Sequence, residues 1–208
     1  MKLKRLISGA AVILMITSSG MFAGCGAKHA EPETTKEETR SAEEKGTEAS
    51  SSSEEETAEA SPLFGSFTSE TLDGEAVDQE IFSGADLTMV NIWGTFCGPC
   101  ISEMPDLGEI SHEYKDKGVQ VIGIVSDVVE AKDETALEIV DTTGADYTHI
   151  IVSKDLYLGY LKEVQVVPTT VFVDKEGKQV GSAFYGAKSK EKWEKAIDEL
   201  LEQVKNEG

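Results

Sequence analysis

The feature that most constrains this chain is a pair of cysteines, Cys97 and Cys100, placed between a predicted buried strand and a predicted helix. The preceding residues, Leu87 to Trp93, form an apolar run suited to a strand covered on both faces. Two thiols separated by two residues can close a disulfide across one turn, and a helix N-terminus stabilises a thiolate. The following residues predict that helix, because apolar side chains recur at helical spacing around an expected kink at Pro105: Ile101, Met104, Leu107, Ile110 and Tyr114.

The two cysteines differ in their predicted roles. Cys97 lies at or just before the first helical turn and can face solvent, whereas Cys100 is carried inside the helix. Pro99 suits the first turn, because the N–H that proline lacks would be unpaired there in any helix. We therefore expect Cys97 to be the attacking thiolate and Cys100 the thiol that resolves the mixed disulfide.

Half of a zinc site is the alternative explanation of this pair. Zinc needs four ligands, usually with a second close pair, and the other candidate ligands are scattered singly: Cys25, His29, His112 and His149. We therefore expect no metal site, and no cofactor apart from a redox-active disulfide between Cys97 and Cys100. His112 and His149 are expected to be solvated or structural.

Residues 1–24 have the pattern of an export signal that ends at Cys25. Basic residues precede an apolar stretch from Leu6 to Ile16, which is shorter than the roughly 20 residues that span a membrane. Met21 to Cys25 resembles a bacterial lipobox, in which the cysteine is lipidated and becomes the mature N-terminus, although Phe22 stands where that pattern usually has Leu. Lipidation would supply the two acyl chains that stable anchoring requires. Ordinary cleavage nearby, or an uncleaved anchor with an idle Cys25, are the alternatives.

Residues 25–61 are predicted to be a disordered, acidic linker. From position 26 to 61 there are 11 Glu and no Val, Ile, Leu, Met, Phe, Trp or Tyr, so the segment cannot bury enough apolar surface to offset its ordering entropy. A solvated helix is less favoured because Pro32 and the run from Ser50 to Ser53 interrupt it. As a coil, the segment would span roughly 30–36 Å and hold a folded domain away from the membrane.

Residues 62–208 have the patterns of one α/β domain. An Asp-Gly turn at position 73 joins two short extended segments, 67–73 and 75–82, which predicts an N-terminal β-hairpin. Strands and helices then alternate before a final hairpin and helix, so we expect a central mixed β-sheet flanked by helices. The predicted strands are 87–93, 119–125, 149–152, 169–173 and 178–184, and the predicted helices are 100–117, 134–141 and one around 193–204.

Charge excludes one large class of function. The chain has 39 acidic and 19 basic residues, and the part from Leu63 onward has 28 acidic residues and 12 Lys but no Arg. Sequence-independent nucleic-acid binding depends on Lys and Arg neutralising phosphates. We therefore expect no nucleic-acid partner.

Three segments of the domain together match one family pattern. They are Val90 to Cys100 continued by Glu103-Met104-Pro105, the run Val167-Pro168-Thr169-Thr170, and the N-terminal hairpin. In these segments the chain resembles the TlpA/ResA-like extracytoplasmic thiol–disulfide oxidoreductases of the thioredoxin superfamily, with a redoxin (AhpC-TSA-like) domain. The resemblance covers nearly all of residues 63–208 and implies a thioredoxin-like fold.

The resemblance also implies roles for single residues. Asn91 stands where cytoplasmic thioredoxins carry a buried Asp. Glu103 occupies the family's acidic position one turn beyond Cys100 and could exchange protons with it, while a carboxylate favoured by the nearby helix N-terminus is an equal alternative. The resemblance implies a cis bond before Pro168 and a substrate groove around the cysteines, although two of the groove residues, Trp93 and Phe96, could instead be core. The expected groove residues are Trp93, Phe96, Gly98, Pro99, Val167 and Pro168.

By this resemblance, we expect an enzyme anchored by lipid to the cell membrane, on its extracytoplasmic side, that exchanges thiols and disulfides with partner proteins. Gly98-Pro99 is the dipeptide of reducing thioredoxins, which favours a reductase. A membrane protein of the CcdA type would donate electrons, and apocytochrome c or an oxidised reductase would accept them.

Other functions are open or disfavoured. A disulfide-forming oxidase remains open, because direction depends on reduction potentials. A peroxiredoxin needs Pro and Thr at set positions before its cysteine and an Arg, whereas Gly94 and Val90 occupy those positions and the domain has no Arg. A copper-delivery protein of this fold would have three residues between its cysteines and an added His. A lipoprotein binding module with a vestigial site is less favoured, because both cysteines, the proline and the acidic residue are retained.

Overall fold

A computed structural model of the protein describes residues 61–207. The predicted signal peptide, Cys25 and nearly all of the predicted linker lie outside this range. None of the helices within it is long and apolar enough to cross a membrane. In chain order the elements are β1 (Thr68–Glu70), β2 (Ala76–Asp78), β3 (Leu87–Trp93), α1 (Gly98–Lys115), β4 (Val119–Val125), α2 (Glu134–Thr143), β5 (Thr148–Ile151), α3 (Lys154–Gly159), β6 (Thr169–Asp174), β7 (Gln179–Tyr185) and α4 (Lys190–Glu207).

Five of the strands form one mixed sheet in the order β5-β4-β3-β6-β7. The strands β3, β4 and β5 are parallel, whereas β6 is antiparallel to both of its neighbours, β3 and β7. The strands β1 and β2 pair in a separate antiparallel hairpin. The predicted α/β class, with a central mixed sheet and an N-terminal hairpin, is therefore confirmed.

Helices cover both faces of this sheet, and the central strand β3 is buried along its whole length. Leu87 and Met89 pack in the core that includes α1 and α4, while Val90 and Ile92 pack in the opposite core with α3. A strand covered on both faces has a nearly continuous apolar sequence, as β3 does. It therefore holds its last residue, Trp93, firmly in place just before the cysteines.

The N-terminal hairpin is shorter than predicted. The expected turn forms, with Gly74 in the left-handed region at φ 90°, but the second strand ends at Asp78. The Asp78 carboxylate accepts the N–H of Glu80 and so begins a 3₁₀ helix at Gln79–Gly84. The prediction of strand up to residue 82 is therefore wrong.

Two helices also differ from the sequence prediction. Helix α1 begins at Gly98, two residues earlier than predicted, because Cys97 caps it, and it continues through Pro105. The sequence analysis does not predict α3, a short helix in which the Ser153 hydroxyl accepts the N–H of Leu156. Helix α3 packs against the sheet through that buried leucine.

Candidate active site

The two cysteines lie at the junction between β3 and α1, where they form a disulfide. After β3 ends, the chain turns, and the N–H of Cys97 donates to the carbonyl of Gly94 at 3.0 Å. Cys97 then caps the helix, because its Sγ accepts the N–H of Cys100 at 3.2 Å. A sulfur in this position is stabilised as a thiolate once the disulfide is reduced. The predicted position of Cys97 at the first helical turn is therefore confirmed.

Cys97 is more covered than the sequence suggests. The residue is 6% exposed, against 0% for Cys100, so the expectation that Cys97 faces solvent is wrong for the disulfide form. Its Sγ lies 3.6 Å from the carbonyl oxygen of Val167, and the loop that carries this carbonyl covers the sulfur. The predicted order of access still agrees with the structure, since Cys100 is fully enclosed.

The loop that covers Cys97 contains the predicted cis peptide bond, between Val167 and Pro168. Val167 is half-buried and Pro168 is buried, whereas Gly98 and Pro99, between the two cysteines, are exposed. A Cβ atom at Gly98 would meet open space, so the fold does not obstruct a partner that approaches there. These residues border an accessible surface beside the disulfide, apart from the enclosed Pro168.

Trp93 and Phe96 have opposite environments. Trp93 is fully buried and donates its indole N–H to Nδ1 of His149 at 3.2 Å, so its prediction as a groove residue is wrong and the core alternative holds. Phe96 is 73% exposed. Its ring lies against Gly94, where a Cβ atom would come within 2.7 Å of the ring. Phe96 is therefore a surface residue whose ring rests on the backbone at Gly94.

The sequence analysis missed Asp127, which holds the turn before Cys97. The backbone N–H of Thr95 donates to the Asp127 carboxylate at 3.0 Å, and the Thr95 hydroxyl donates to it at 2.5 Å. A signal existed, because Asp127 follows β4, the parallel neighbour of β3. The carboxyl ends of adjacent parallel strands meet at one edge of a sheet, where ligands bind in open α/β folds.

An apolar pocket of about 530 Å³ adjoins the disulfide. It shares Phe96 and Val167 with the surroundings of Cys97, and two further lining residues, Tyr157 and Val166, are 54% and 52% exposed. None of the lining residues is charged, so the pocket suits an apolar side chain. They are Ile92, Phe96, Ser126, Val152, Tyr157, Leu161, Val164, Gln165, Val166 and Val167.

Glu103 lies on α1, one turn beyond Cys100, and is only 3% exposed. Its Oε1 accepts the side-chain amide N–H of Asn91 at 3.0 Å. Its Oε2 accepts the backbone N–H of Lys188 at 3.0 Å and the indole N–H of Trp193 at 3.3 Å. The Glu103 carboxylate is therefore a buried group enclosed by three N–H donors, not a solvated surface charge.

Burial raises the pKa of Glu103 above its ordinary value, because a desolvated carboxylate is penalised. The three N–H donors and the Lys188 ammonium act in the opposite direction. Asn91 also donates to the Thr170 hydroxyl at 3.0 Å, while its Oδ1 is buried without a hydrogen-bond partner among the described residues. Glu103 can therefore exchange a proton closer to neutral pH than an exposed Glu, on the helix face that also carries Cys100.

The two histidines of the described range are solvated or structural, as predicted. His112 is exposed and lies 2.9 Å from Asp146. His149 is buried, and Nε2 lies 2.8 Å from the Ala145 carbonyl while Nδ1 accepts the indole N–H of Trp93. Burial lowers the pKa of His149 to about 4. Across residues 61–207, no three His, Cys, Asp or Glu side chains come together as a metal site.

The mixed five-stranded sheet, the disulfide at the start of α1 and the cis-proline loop beside it define a thioredoxin-like domain with a thiol–disulfide site. The chain belongs to the Redoxin family, whose model matches residues 58–201. Within that family it is TlpA/ResA-like, and it is a thiol–disulfide oxidoreductase.

Several curated proteins and solved structures are similar to the chain. It is 28% identical over 141 residues to the thiol-disulfide oxidoreductase ResA of Halalkalibacterium halodurans, covering 68% of this chain and 74% of that protein. It is 31% identical over 123 residues to ResA of Bacillus anthracis, covering 59% and 68%. A thiol:disulfide interchange protein from Chlorobium tepidum superposes with a TM-score of 0.59 at 23% identity, covering 69% of this chain and 98% of that one. That structure supports the fold alone.

Proposed function

We propose that the protein is an extracytoplasmic, membrane-anchored reductase that transfers two electrons from Cys97 and Cys100 to disulfides of partner proteins. The observation that carries this proposal is the position of the Cys97 sulfur. It caps α1, accepts the N–H of Cys100 at 3.2 Å, and is the less enclosed of the two sulfurs. A nucleophilic thiol needs this combination of thiolate stabilisation and access.

The reaction consists of two exchanges in which each sulfur has a separate role. The Cys97 thiolate attacks one sulfur of the partner disulfide, so one S–S bond forms, another breaks, and the released partner thiolate takes up a proton. The Cys100 thiol then loses its proton and attacks Sγ of Cys97, which releases the second partner thiol. Two electrons have then passed to the partner, and the Cys97–Cys100 disulfide has formed. A membrane dithiol donor of the CcdA type would reduce it again.

Glu103 is the proposed proton acceptor for Cys100. It lies one turn further along the same helix, and burial raises its pKa towards the range in which a carboxyl can exchange protons with a thiol. Because Cys100 is fully enclosed, bulk water is a poor acceptor for its proton. A buried carboxylate nearby supports resolution of the mixed disulfide.

Partner proteins would dock along the surface that borders Cys97. The carbonyl of Val167 is 3.6 Å from the Cys97 sulfur and belongs to the wall of the uncharged pocket. An extended partner chain would cross this wall within a few residues of its reactive cysteine, since each residue spans about 3.3–3.6 Å. An apolar side chain of the partner would then enter the pocket. Apocytochrome c or an oxidised reductase are the proposed partners.

The proposed location rests on the predicted export signal and on the predicted lipobox at Cys25. The linker at 25–61 would allow the domain to reach partners near the membrane. Replacement of Cys25 by Ala should release the protein from membranes or leave an unprocessed precursor. Unchanged membrane retention and unchanged mass of the variant would contradict lipidation.

The proposed activity is tested with single-cysteine variants. Cys100→Ala should accumulate mixed disulfides with partner proteins, because no thiol remains to resolve them, whereas Cys97→Ala should trap none and fail to reduce insulin. Alkylation of the reduced protein near neutral pH should label Cys97 first. Trapping by Cys97→Ala would reverse the assigned roles. A reduction potential more oxidising than that of glutathione would favour the disulfide-forming oxidase instead.

The docking surface is tested with a matched pair of exposed residues. Val166 lines the pocket, whereas Leu158 is 51% exposed and does not. Val166→Glu and Val166→Lys should both lower kcat/KM about tenfold for a disulfide peptide with an apolar residue near its cysteine, since burying an unpaired charge costs over 1 kcal/mol. Leu158→Glu should leave it unchanged. Opposite effects of Glu and Lys at position 166 would show that charge, rather than apolar contact, governs docking.

A further inference from the structure

The chain from the end of β7 into the first turn of α4, residues 186–193, returns to helix α1 and contacts Glu103. Two of the three N–H groups that the Glu103 carboxylate accepts come from this C-terminal part, from the backbone of Lys188 and the indole of Trp193. They lie 85 and 90 residues further along the chain. Both donate to the same oxygen, Oε2, while Oε1 accepts the Asn91 amide. The carboxylate therefore has a fixed orientation that depends on the C-terminal helix.

This segment is held against α1 by contacts that do not involve Glu103. The backbone N–H of Lys190 donates to the Asp106 carboxylate at 3.1 Å. The Lys190 ammonium lies 2.7 Å from Glu109 and 2.8 Å from Glu113, both on α1. The two donors thus reach Glu103 from a segment that is attached to the same helix at two further points.

We propose that Trp193 and the backbone amide of Lys188 are positioning groups for Glu103, which hold its carboxylate and so set the pH range in which Cys100 resolves the mixed disulfide. The inference rests on the proposed function of Glu103 as proton acceptor. In that step the Cys100 S–H bond breaks, the proton passes to the carboxylate, and the Cys100 sulfur attacks Sγ of Cys97. The Cys97–Cys100 bond forms, the bond between Cys97 and the partner sulfur breaks, and the partner leaves as a thiolate. An N–H donor to the carboxylate favours the form that accepts this proton and opposes premature protonation.

Few other charged or titratable groups face Glu103. The Lys188 ammonium favours the carboxylate through its charge. It lies over the rings of Trp193 and Phe184, at 5.1 and 5.5 Å from their centroids. From the residue just before β5 comes the side chain of Tyr147, whose pKa burial and the Glu103 charge both raise, so its hydroxyl stays neutral. From α1 itself come the reduced cysteines, of which Cys100 is the nearer in sequence.

A purely structural role for Trp193 is the competing explanation. The residue is fully buried in the core between the sheet and the helices α1 and α4, and its ring contacts Phe172 and Phe184. A test must therefore separate the loss of the indole N–H from the loss of packing. Trp193→Phe removes the donor and keeps an aromatic ring. Phe184→Leu disturbs the same ring cluster, including its contact with the Lys188 ammonium, but removes no N–H donor to Glu103.

The first measurement follows the Glu103 carboxyl directly in the disulfide form, by the pH dependence of its ¹³C chemical shift. Trp193→Phe should move the midpoint upward by roughly one pH unit, because a hydrogen bond to a charged group contributes over 1 kcal/mol. Phe184→Leu should move it little. In the unmodified protein, the Trp193 indole N–H signal should titrate with the same midpoint and stop titrating in Glu103→Gln. An unchanged midpoint in Trp193→Phe, or an indole signal that ignores Glu103, would overturn the proposal.

The second measurement follows resolution of a preformed mixed disulfide as a function of pH. Trp193→Phe should shift the acid limb of the rate profile upward by about the same amount, and it should cause no further shift when combined with Glu103→Gln. If Trp193→Phe shifts the profile equally in wild type and in Glu103→Gln, the proposal is overturned, because Trp193 would then act without the Glu103 carboxyl. If the protein exchanges no disulfides at all, the proposed function fails, while the carboxyl titration still decides the positioning role.

Discussion

The two tryptophans of the chain show how the same side chain can stabilise opposite charge states. Both Trp93 and Trp193 are fully buried, and both donate the indole N–H to a titratable group. Trp93 donates to Nδ1 of His149, an atom that can accept only while the imidazole is neutral. Trp193 donates to the carboxylate of Glu103, which accepts best when it is charged.

Burial and the indole donor therefore act together in one region and against each other in the second. At His149, desolvation lowers the pKa to about 4, against the hydrogen bond to the Ala145 carbonyl and the Asp73 charge, which raise it. The Trp93 donor also favours the neutral ring. At Glu103, desolvation raises the pKa, while Trp193 and its neighbours favour the carboxylate. Burial and the indole donor thus favour the same protonation state at His149 and opposite protonation states at Glu103.

The largest expected effect is a loss of folding stability in acid, which arises in the Trp93 region. The folded-state pKa of His149, about 4, lies below its ordinary value of 6.5, so the unfolded chain binds more protons between these values. The contribution of His149 to the free energy of unfolding is thus fully present above pH 6.5 and falls by about 3 kcal/mol as the pH drops to 4. Urea unfolding of wild type and His149→Gln at several pH values should differ by this slope. The exposed His112→Gln should keep the wild-type slope, and a shared loss in all three would contradict the assignment to His149.

A smaller effect should follow from a single methyl group placed against the same histidine. A Cβ atom at Gly123, on β4, would lie within 2.2 Å of Nδ1 of His149 and 3.0 Å of the Trp93 indole nitrogen. Gly123→Ala should therefore lower the free energy of unfolding by about 2 kcal/mol through overpacking. Gly98→Ala, where a Cβ meets open space, should change it by less than about 0.5 kcal/mol. Equal denaturation midpoints for the two variants would show that His149 moves aside freely.

The Trp193 region should respond to pH with the opposite sign. The folded-state pKa of Glu103 is raised, so its contribution is fully present below the ordinary Glu pKa and is lost as pH rises through the folded value. Glu103→Gln should remove this loss, and its stability relative to wild type should rise with pH. The change should be smaller than that at His149, because three N–H donors partly compensate the buried charge. A pH-independent difference between the two proteins would contradict a raised pKa.

The smallest effect concerns Tyr147, which touches both regions. Its ring lies 4.5 Å from that of His149, and its buried hydroxyl has no hydrogen-bond partner among residues 61–207. Removal of an unsatisfied hydroxyl has little cost, so Tyr147→Phe should leave the free energy of unfolding unchanged or raise it by up to about 1 kcal/mol. Thermal melts of the two proteins test this. A clear loss of stability would mean that the hydroxyl does have a partner in solution.

The sequence predicts the two cysteines and the loop beside them much better than it predicts the buried partners of Glu103. Cys97 and Cys100 follow from local patterns, because a strand, a tight turn and a helix N-terminus are encoded by neighbouring residues, whereas Pro168 follows from the family resemblance. The partners of Glu103 do not follow from such patterns. Helical spacing predicts Trp193 as a core residue, which it is, but the spacing does not show that its indole also donates to a carboxylate 90 residues away.

Backbone donors and burial explain the remaining failures. The amide of Lys188 carries no sequence signature, because every residue other than proline has one. Trp93 and Phe96 have similar positions in the sequence, yet one is 0% and the other 73% exposed. Tertiary packing separates them: Trp93 lies in a core cluster and reaches His149 of β5 across Gly123 of β4.

As the proposed docking site, the uncharged pocket beside Cys97 would allow the association rate and the dissociation rate of partners to be set separately. The domain around the pocket has 28 acidic residues and 12 Lys, so its long-range field attracts basic partners and accelerates their encounter. Once the pocket is occupied, apolar contact sets the residence time. At physiological ionic strength, fields are screened beyond about 8 Å, so salt should slow association with basic partners and leave their dissociation nearly unchanged.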